Sequence, residues 1–159
     1  KVRIGIGWDR HRLIEGRPCV LGGVLFDDCP VGPKGHSDGD AVLHAIVDAL
    51  LGAAALGDIG KHFPDTSAQY YGVSSRIFLE GAKNLLCDAG YKTNNIDVTI
   101  ITEQPYLSKR IDEMQNFIAS VLDIDINDIS VKGTRGEGLG PEGRSECVTA
   151  MAVATIKKV

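Results

Sequence analysis

The stretch from Cys147 to Ile156 is apolar on both faces of an extended chain. Any fold of this sequence must therefore cover it twice, as a central strand or as one that meets another subunit. The rest of the chain supplies covering elements. Val2 to Gly7 alternates apolar residues with Gly and Arg as a short strand does, and Cys19 to Phe26 reads as a second β segment bent by Gly22-Gly23. From Asp38 the pattern turns helical. Val42, Leu43, Ile46, Ala49, Leu50 and Ala53 form one stripe, with Ser37, Asp38 or Asp40 as cap and an end by Leu56-Gly57. A loop follows through Gly57-Asp58-Ile59-Gly60 and Phe63-Pro64-Asp65-Thr66. Ser74 or Ser75 caps a second helix carrying Phe78, Ala82, Leu85, Leu86 and Ala89, which Gly90 stops. Asn95 to Glu103 alternates as a strand, Ser108 to Leu122 is a third helix, and Asp128 to Lys132 is another strand. Elements of both kinds alternate without repeat or linker, which predicts one α/β or α+β domain over residues 1–159.

Charge narrows the function. Lys and Arg number 17 against 21 Asp and Glu, a net charge of −4, which argues against a general nucleic-acid binder with its basic face. No apolar run approaches the roughly 18 residues of a membrane span, and Lys1-Val2-Arg3-Ile4 reads as a strand rather than a signal peptide. Cys19, Cys29, Cys87 and Cys147 form no C-x-x-C pair, so they are expected as reduced, mostly core thiols in a cytoplasm-like compartment. The 19 glycines cluster beside acidic residues and histidines. That pattern points to a ligand site built largely from backbone.

Three residues have the chemistry of metal ligands. Asp9 and His11 lie two apart, on the same side of an extended chain. His44 sits on the first predicted helix, with Asp40 and Asp48 at helical spacing to hold its other nitrogen. One carboxylate and two imidazoles leave a fourth position open, as in catalytic zinc sites. His62 has no supporting partner and is expected at the surface. Gly35-His36-Ser37-Asp38-Gly39-Asp40 places His36 at a helix start, where outward N–H groups favour phosphate. Gly133-Thr134-Arg135-Gly136-Glu137-Gly138 offers a hydroxyl, a cation and a carboxylate that could clamp a phosphate and help hold Mg²⁺. A capped helix start with a solvated His and a mobile polar turn are the alternatives for these two segments.

These motifs resemble one family. Gly7-Trp8-Asp9-Arg10-His11, His36-Ser37-Asp38-Gly39-Asp40 with His44, the block from Asp48 to Gly60 and Phe63-Pro64-Asp65-Thr66 are similar, in order and spacing, to the 2-C-methyl-D-erythritol 2,4-cyclodiphosphate synthase family. The resemblance covers essentially the whole chain. It implies an α+β fold, a small mixed sheet backed by helices, assembled as a homotrimer with active sites between subunits. The implied substrate is 4-diphosphocytidyl-2-C-methyl-D-erythritol 2-phosphate, a cytidine-diphosphate-linked small molecule, which closes to the cyclic diphosphate with release of CMP. By the family's motif, Asp9, His11 and His44 would bind Zn²⁺, and Glu137 would sit at Mg²⁺ or Mn²⁺ bridging the substrate phosphates. His36, Arg135 and Glu137 would be the catalytic positions. His36 and Ser37 would cover the methylerythritol phosphate, and Asp58, Ile59, Gly60, Phe63, Pro64, Asp65, Thr66 and Ser67 would line that pocket or the ribose. Thr102, Glu103, Gln104, Pro105, Tyr106, Leu107 and Ser108, with Thr134, Arg135, Gly136 and Glu137, would hold cytidine and diphosphate. Arg10, Pro141 and Arg144 complete the implied contacts. The implied setting is the cytoplasm of a bacterium, or a plastid stroma if a transit segment has been removed, with no nucleic acid or membrane as partner.

Several positions depart from the family pattern. Arg135 stands where a threonine is common, and Tyr106 replaces the lysine of Gln-x-Pro-Lys. Arg144 matches an arginine facing the trimer's central cavity, while Met151 stands where glutamate is common. Two other readings stay open: a zinc phosphohydrolase with Asp40 or Asp65 positioning water, and a non-catalytic trimer that binds a cytidine nucleotide or isoprenoid phosphate.

Overall fold

The computed structural model describes residues 1–159. In chain order the elements are β1 (Val2–Glu15), β2 (Val20–Leu21), β3 (Val24–Leu25), β4 (Val31–Pro33), α1 (Ala41–Ala53), α2 (Ile59–His62), α3 (Arg76–Asp88), β5 (Tyr91–Ile101), α4 (Ile111–Leu122), β6 (Ile129–Thr134), α5 (Gly140–Gly143) and β7 (Cys147–Lys158). Five strands form one sheet in the order β4-β1-β7-β5-β6. Only β5 and β6 run parallel; the other pairs are antiparallel. The sheet is therefore mixed, and β7 is its centre. Val148, Ala150, Ala152, Ala154 and Ile156 turn one face of β7 into a core shared with α1, α3 and α4.

The fit of α1 on β1 depends on the absence of side chains. A Cβ on Gly7 would lie 1.8 Å from the Ala45 carbonyl oxygen, and one on Gly5 would lie 2.0 Å from that of Ala49. Strand and helix thus meet backbone to backbone, and residues 44 and 9 are brought together by this close approach. The opposite sheet face carries Ile4, Ile6 and Trp8 from β1 beside Met151 and Val153 from β7, with Ile4 69% and Ile6 67% exposed. That is the second apolar face of the central strand, left uncovered within one chain.

Asp40 ties the small β2–β3 hairpin to α1. Its fully buried carboxylate accepts hydrogen bonds from the N–H groups of Leu43 (3.1 Å), Gly22 (2.9 Å) and Gly23 (2.8 Å). Burial, with the charge of Asp38, pushes this carboxyl up to about 6, and the three N–H donors pull the other way. Gly22-Gly23 is thus a turn whose amides serve as partners for a helix cap.

Some boundaries differ from expectation. β1 continues to Glu15, because it keeps pairing with β7 to Arg12 and then with β4 from Leu13. A single-turn helix, α2, lies within the expected loop after Gly57, capped by Asp58. Cys19 and Cys147 are buried and Cys29 half-buried, but Cys87 is exposed at the outer side of α3; all four thiols are free. His62 is half-buried rather than superficial, because its Nε2–H donates to the Leu56 carbonyl at 2.7 Å.

Candidate functional site

The two-residue period of β1 puts Asp9 and His11 on one side, and α1 brings His44 to meet them. Asp9 Oδ2 lies 2.9 Å from His11 Nε2 and 3.2 Å from His44 Nδ1. The two ring nitrogens are 3.2 Å apart. A tetrahedral ion at about 2.0–2.1 Å from each donor separates its ligands by about 3.3 Å. The three atoms already stand near that spacing, so the donor set fits a metal of zinc type. The away-facing nitrogens are also occupied: His11 Nδ1–H donates to the Lys34 carbonyl at 2.7 Å.

The partners expected for His44 are not the ones it has. Neither Asp40 nor Asp48 reaches the ring. Asp40 is taken up by three backbone donors, and Asp48 accepts from the Ile59 N–H at 2.7 Å, pinning the start of α2 to α1. His44 Nε2 instead faces Ser75 Oγ at 2.8 Å and Ser37 Oγ at 3.3 Å. Helical spacing names neighbours on the same helix, whereas the actual partner comes from the start of another.

Charge in the cluster is strongly coupled. Burial pushes the Asp9 carboxyl up, but hydrogen bonds and charge from His11 and His44 outweigh it, bringing it from 3.8 down to about 2. Burial pulls the His11 imidazole down, and the Asp9 carboxylate more than reverses this, raising it above 6.5. In metal-free protein, the Asp9 contribution to stability is present above 3.8 and is lost as pH falls toward about 2. The His11 contribution is full below 6.5 and is lost as pH rises through its raised value. Chelator-stripped protein is therefore expected to melt highest in mildly acid buffer. Asp9→Asn should flatten that maximum and remove about 2 kcal/mol there. Thermal melts across pH check this; an unchanged profile in the variant would refute the coupling.

The triad opens into a cavity of about 310 Å³ that His36, Ser37, Ile59, Gly60, Phe63 and Asp65 also line. His36 Nε2–H donates to the Ser67 carbonyl at 2.8 Å, and its ring meets Tyr71 edge-on. Asp58 caps α2 by accepting from the Lys61 N–H at 2.9 Å, and Pro64 and Thr66 flank the mouth from exposed positions. Tyr70 and Phe78 add an aromatic wall. Neither stands out in the sequence as a site residue: Phe78 falls on the apolar stripe of its helix, and Tyr70 belongs to no motif.

A second cavity of about 440 Å³ lies between the end of β5 and the end of β6. Thr102, Glu103, Pro105, Tyr106, Leu107 and Ser108 line one side, and Thr134 and Arg135 the other. The Arg135 guanidinium stands 6.0 Å from the Tyr106 ring centre, so the two departures from the family pattern face each other. Gln104 offers its carbonyl to the Thr102 hydroxyl at 2.5 Å. Glu103 accepts from the N–H groups of Gly136 (2.7 Å) and Glu137 (3.2 Å), which shapes the phosphate-loop candidate. The two cavities share no lining residue. Arg10 lies in neither: it leaves β1 on the side opposite Asp9 and His11, stacks on Trp8, and pairs with Glu142 at 2.6 Å. Pro141 is in α5, and Arg144 pairs with Glu146 at 3.3 Å.

The YgbB family model matches residues 2–157, nearly the full chain. The chain belongs to the YgbB family. Within that family it is 52% identical over 157 residues to the 2-C-methyl-D-erythritol 2,4-cyclodiphosphate synthase of Chlorobaculum parvum, an alignment covering 99% of each chain. A structure of 2C-methyl-D-erythritol-2,4-cyclodiphosphate synthase in its CDP-bound form superposes with a TM-score of 0.89 at 37% identity, covering 98% of this chain and 100% of that one. The bifunctional IspDF of Campylobacter jejuni superposes with a TM-score of 0.95 at 37% identity; all of this chain aligns to 43% of that longer one. The YgbB match thus spans both cavities and the triad between α1 and β1.

Proposed function

We infer that this chain converts 4-diphosphocytidyl-2-C-methyl-D-erythritol 2-phosphate to 2-C-methyl-D-erythritol 2,4-cyclodiphosphate and CMP, a phosphorus–oxygen lyase step in isoprenoid precursor biosynthesis. The observation that carries this reading is the Asp9–His11–His44 triad at the mouth of a cavity, in a chain about half identical to a synthase of that name. An oxygen of the 2-phosphate attacks the β-phosphorus, and the bond from that phosphorus to the bridging oxygen breaks. CMP leaves with the electron pair. Attacker and target belong to one molecule, so the reaction needs folding of the substrate and cover for its charge rather than a protein nucleophile. Correct orientation of such groups is worth up to about 7–11 kcal/mol.

Zn²⁺ held by Asp9, His11 and His44, and Mg²⁺ or Mn²⁺ held by Glu137 with substrate oxygens, would supply Lewis-acid neutralisation of the phosphates. The chain's own groups do the rest. His36, Ser37 and the start of α2 close around the methylerythritol phosphate, while the backbone of 102–108 and 134–137 receives the nucleotide. Arg135 brings a fixed cation to the second cavity, where a threonine would bring only a hydroxyl. Because the two cavities lie apart within one chain, a single substrate joins them across a subunit boundary. The uncovered apolar face of β1 and β7 supports a homotrimer built on that sheet face. We place the protein in a reducing compartment, a bacterial cytoplasm or a plastid stroma, consistent with its four free thiols; no helix is long and apolar enough to cross a membrane.

Hydrolysis is disfavoured because the Asp40 carboxylate is sealed among backbone donors, leaving only Asp65 to orient a water. The test is phosphorus NMR of the protein with the diphosphocytidyl substrate, Zn²⁺ and Mg²⁺. Cyclic diphosphate appearing with CMP supports the reading. A linear product would identify a phosphohydrolase, and binding without turnover would identify the non-catalytic trimer.

A further inference from the structure

We propose that Ser75 and Asp38 are positioning residues that fix which ring nitrogen of His44 faces Asp9 and His11. This rests on the reading of those three residues as a metal site. Asp38 sits between the two ends of a short network: its Oδ1 is 2.5 Å from Ser75 Oγ, its Oδ2 accepts from the Ser75 N–H at 3.1 Å, and Oδ1 also accepts from the Asp40 N–H at 3.1 Å. A carboxylate can only accept, and a serine hydroxyl has a single proton to give. The Ser75 proton therefore points at Asp38. What remains on Ser75 Oγ is lone pairs, and His44 Nε2, 2.8 Å away, must be the donor of that hydrogen bond.

With its proton on Nε2, a neutral His44 carries its lone pair on Nδ1, the atom 3.2 Å from both Asp9 Oδ2 and His11 Nε2. His11 is held in the opposite sense, giving its Nδ1 proton to the Lys34 carbonyl and keeping Nε2 free. The two imidazoles thus present different nitrogens to one point, each set by the acceptor behind it. Ser37 is a poor substitute for Ser75, since its hydroxyl is 3.3 Å from Nε2 and already receives the Gly39 N–H. Ser75 is completely buried, so bulk solvent does not compete for its hydroxyl. The network also spans elements: the Asp38 N–H donates to the Val73 carbonyl at 3.0 Å, joining the His36–Ser37 loop to the start of α3. Ser75, which reads in the sequence as a helix cap, makes no side-chain cap bond in its own helix. Its hydroxyl is committed to His44 and Asp38 instead.

The test uses full-length protein with Zn²⁺ or Co²⁺ as the probe. Chelator competition should show Ser75→Ala binding the ion roughly 10–100-fold more weakly, with Ser75→Thr, which keeps the hydroxyl, recovering most of the loss. Long-range proton–nitrogen NMR of metal-free wild type, in mildly alkaline buffer, should show His44 protonated on Nε2. Ser75→Ala should show a mixture of tautomers. Wild-type His44 protonated on Nδ1 would overturn the proposal without recourse to any variant, as would unchanged affinity and tautomer in a folded Ser75→Ala. Failure of wild type to bind either ion would instead overturn the metal reading, while the metal-free tautomer still decides the role of Ser75.

Discussion

His44→Ala should lower the rate of cyclic diphosphate formation by at least about a thousandfold, equivalent to about 4 kcal/mol of barrier at 1.36 kcal/mol per decade. The triad has no reserve. Asp40 and Asp48 are engaged by backbone amides from three segments, so no nearby carboxylate is free to replace the lost nitrogen. Truncation would leave Asp9 and His11 as a two-ligand site and would take from the buried Ser75 hydroxyl the Nε2–H it accepts, though its own proton stays on Asp38. Some loss of stability is expected as well, because the ring packs edge-on against Phe78 and His11. The comparison with His44→Gln separates the two effects, since glutamine fills most of the volume without an imidazole. Phosphorus NMR follows the product, and thermal melts report folding. A folded His44→Ala that still cyclises at close to the wild-type rate would remove the triad from the mechanism.

How far the site could be read from the chain depends on the range of each contact. Asp9 and His11 are legible as a pair because a strand repeats every two residues, and that rule holds wherever the strand goes. His44 is legible as a helical residue, but its approach to Asp9 is a matter of how a helix docks on a sheet, and no local pattern states that. The resemblance to a family supplied it. Ser75 was visible only as a helix-capping hydroxyl, because its link to His44 joins residues 31 positions apart. The same reason explains the wrong partners for His44: helical spacing favoured Asp40 and Asp48, while tertiary contacts with Gly22, Gly23 and Ile59 had already claimed them. Strand β4 went unseen for a different reason. Val31-Gly32-Pro33 has the composition of a turn, yet it pairs with Leu13–Glu15 at the sheet edge, where proline is tolerated. The doubly apolar β7 is the clearest signal, and its two faces have distinct duties: one lies in the core, and the other leaves Met151 and Val153 exposed beside Ile4 and Ile6 while Thr149 is covered by Arg10 and Glu142.

Gly7→Ala is the substitution expected to damage the fold most for the smallest chemical change, by about 4 kcal/mol. The added methyl would stand 1.8 Å from the Ala45 carbonyl oxygen and 2.9 Å from the Ala49 amide nitrogen. Those atoms belong to the backbone of α1, so no side-chain rotation relieves the contact. The helix must lift from the sheet or β1 must bend. Either movement separates His44, next to Ala45, from Asp9, two residues beyond Gly7, and so the variant should lose metal affinity together with stability. For a chain of this length the melting temperature should fall by roughly 10 °C. Gly52→Ala is the matched control on the same helix. Its nearest neighbour outside the helix is the Ile6 carbonyl oxygen at 4.0 Å, so the methyl has room, and better helix propensity should leave stability unchanged or raise it by up to about 1 kcal/mol. Melts and Zn²⁺ titrations of the two variants distinguish a general intolerance of the glycine positions from a specific need for close approach. If Gly7→Ala melted and bound Zn²⁺ like wild type, the backbone contact between β1 and α1 would not be what brings His44 to Asp9.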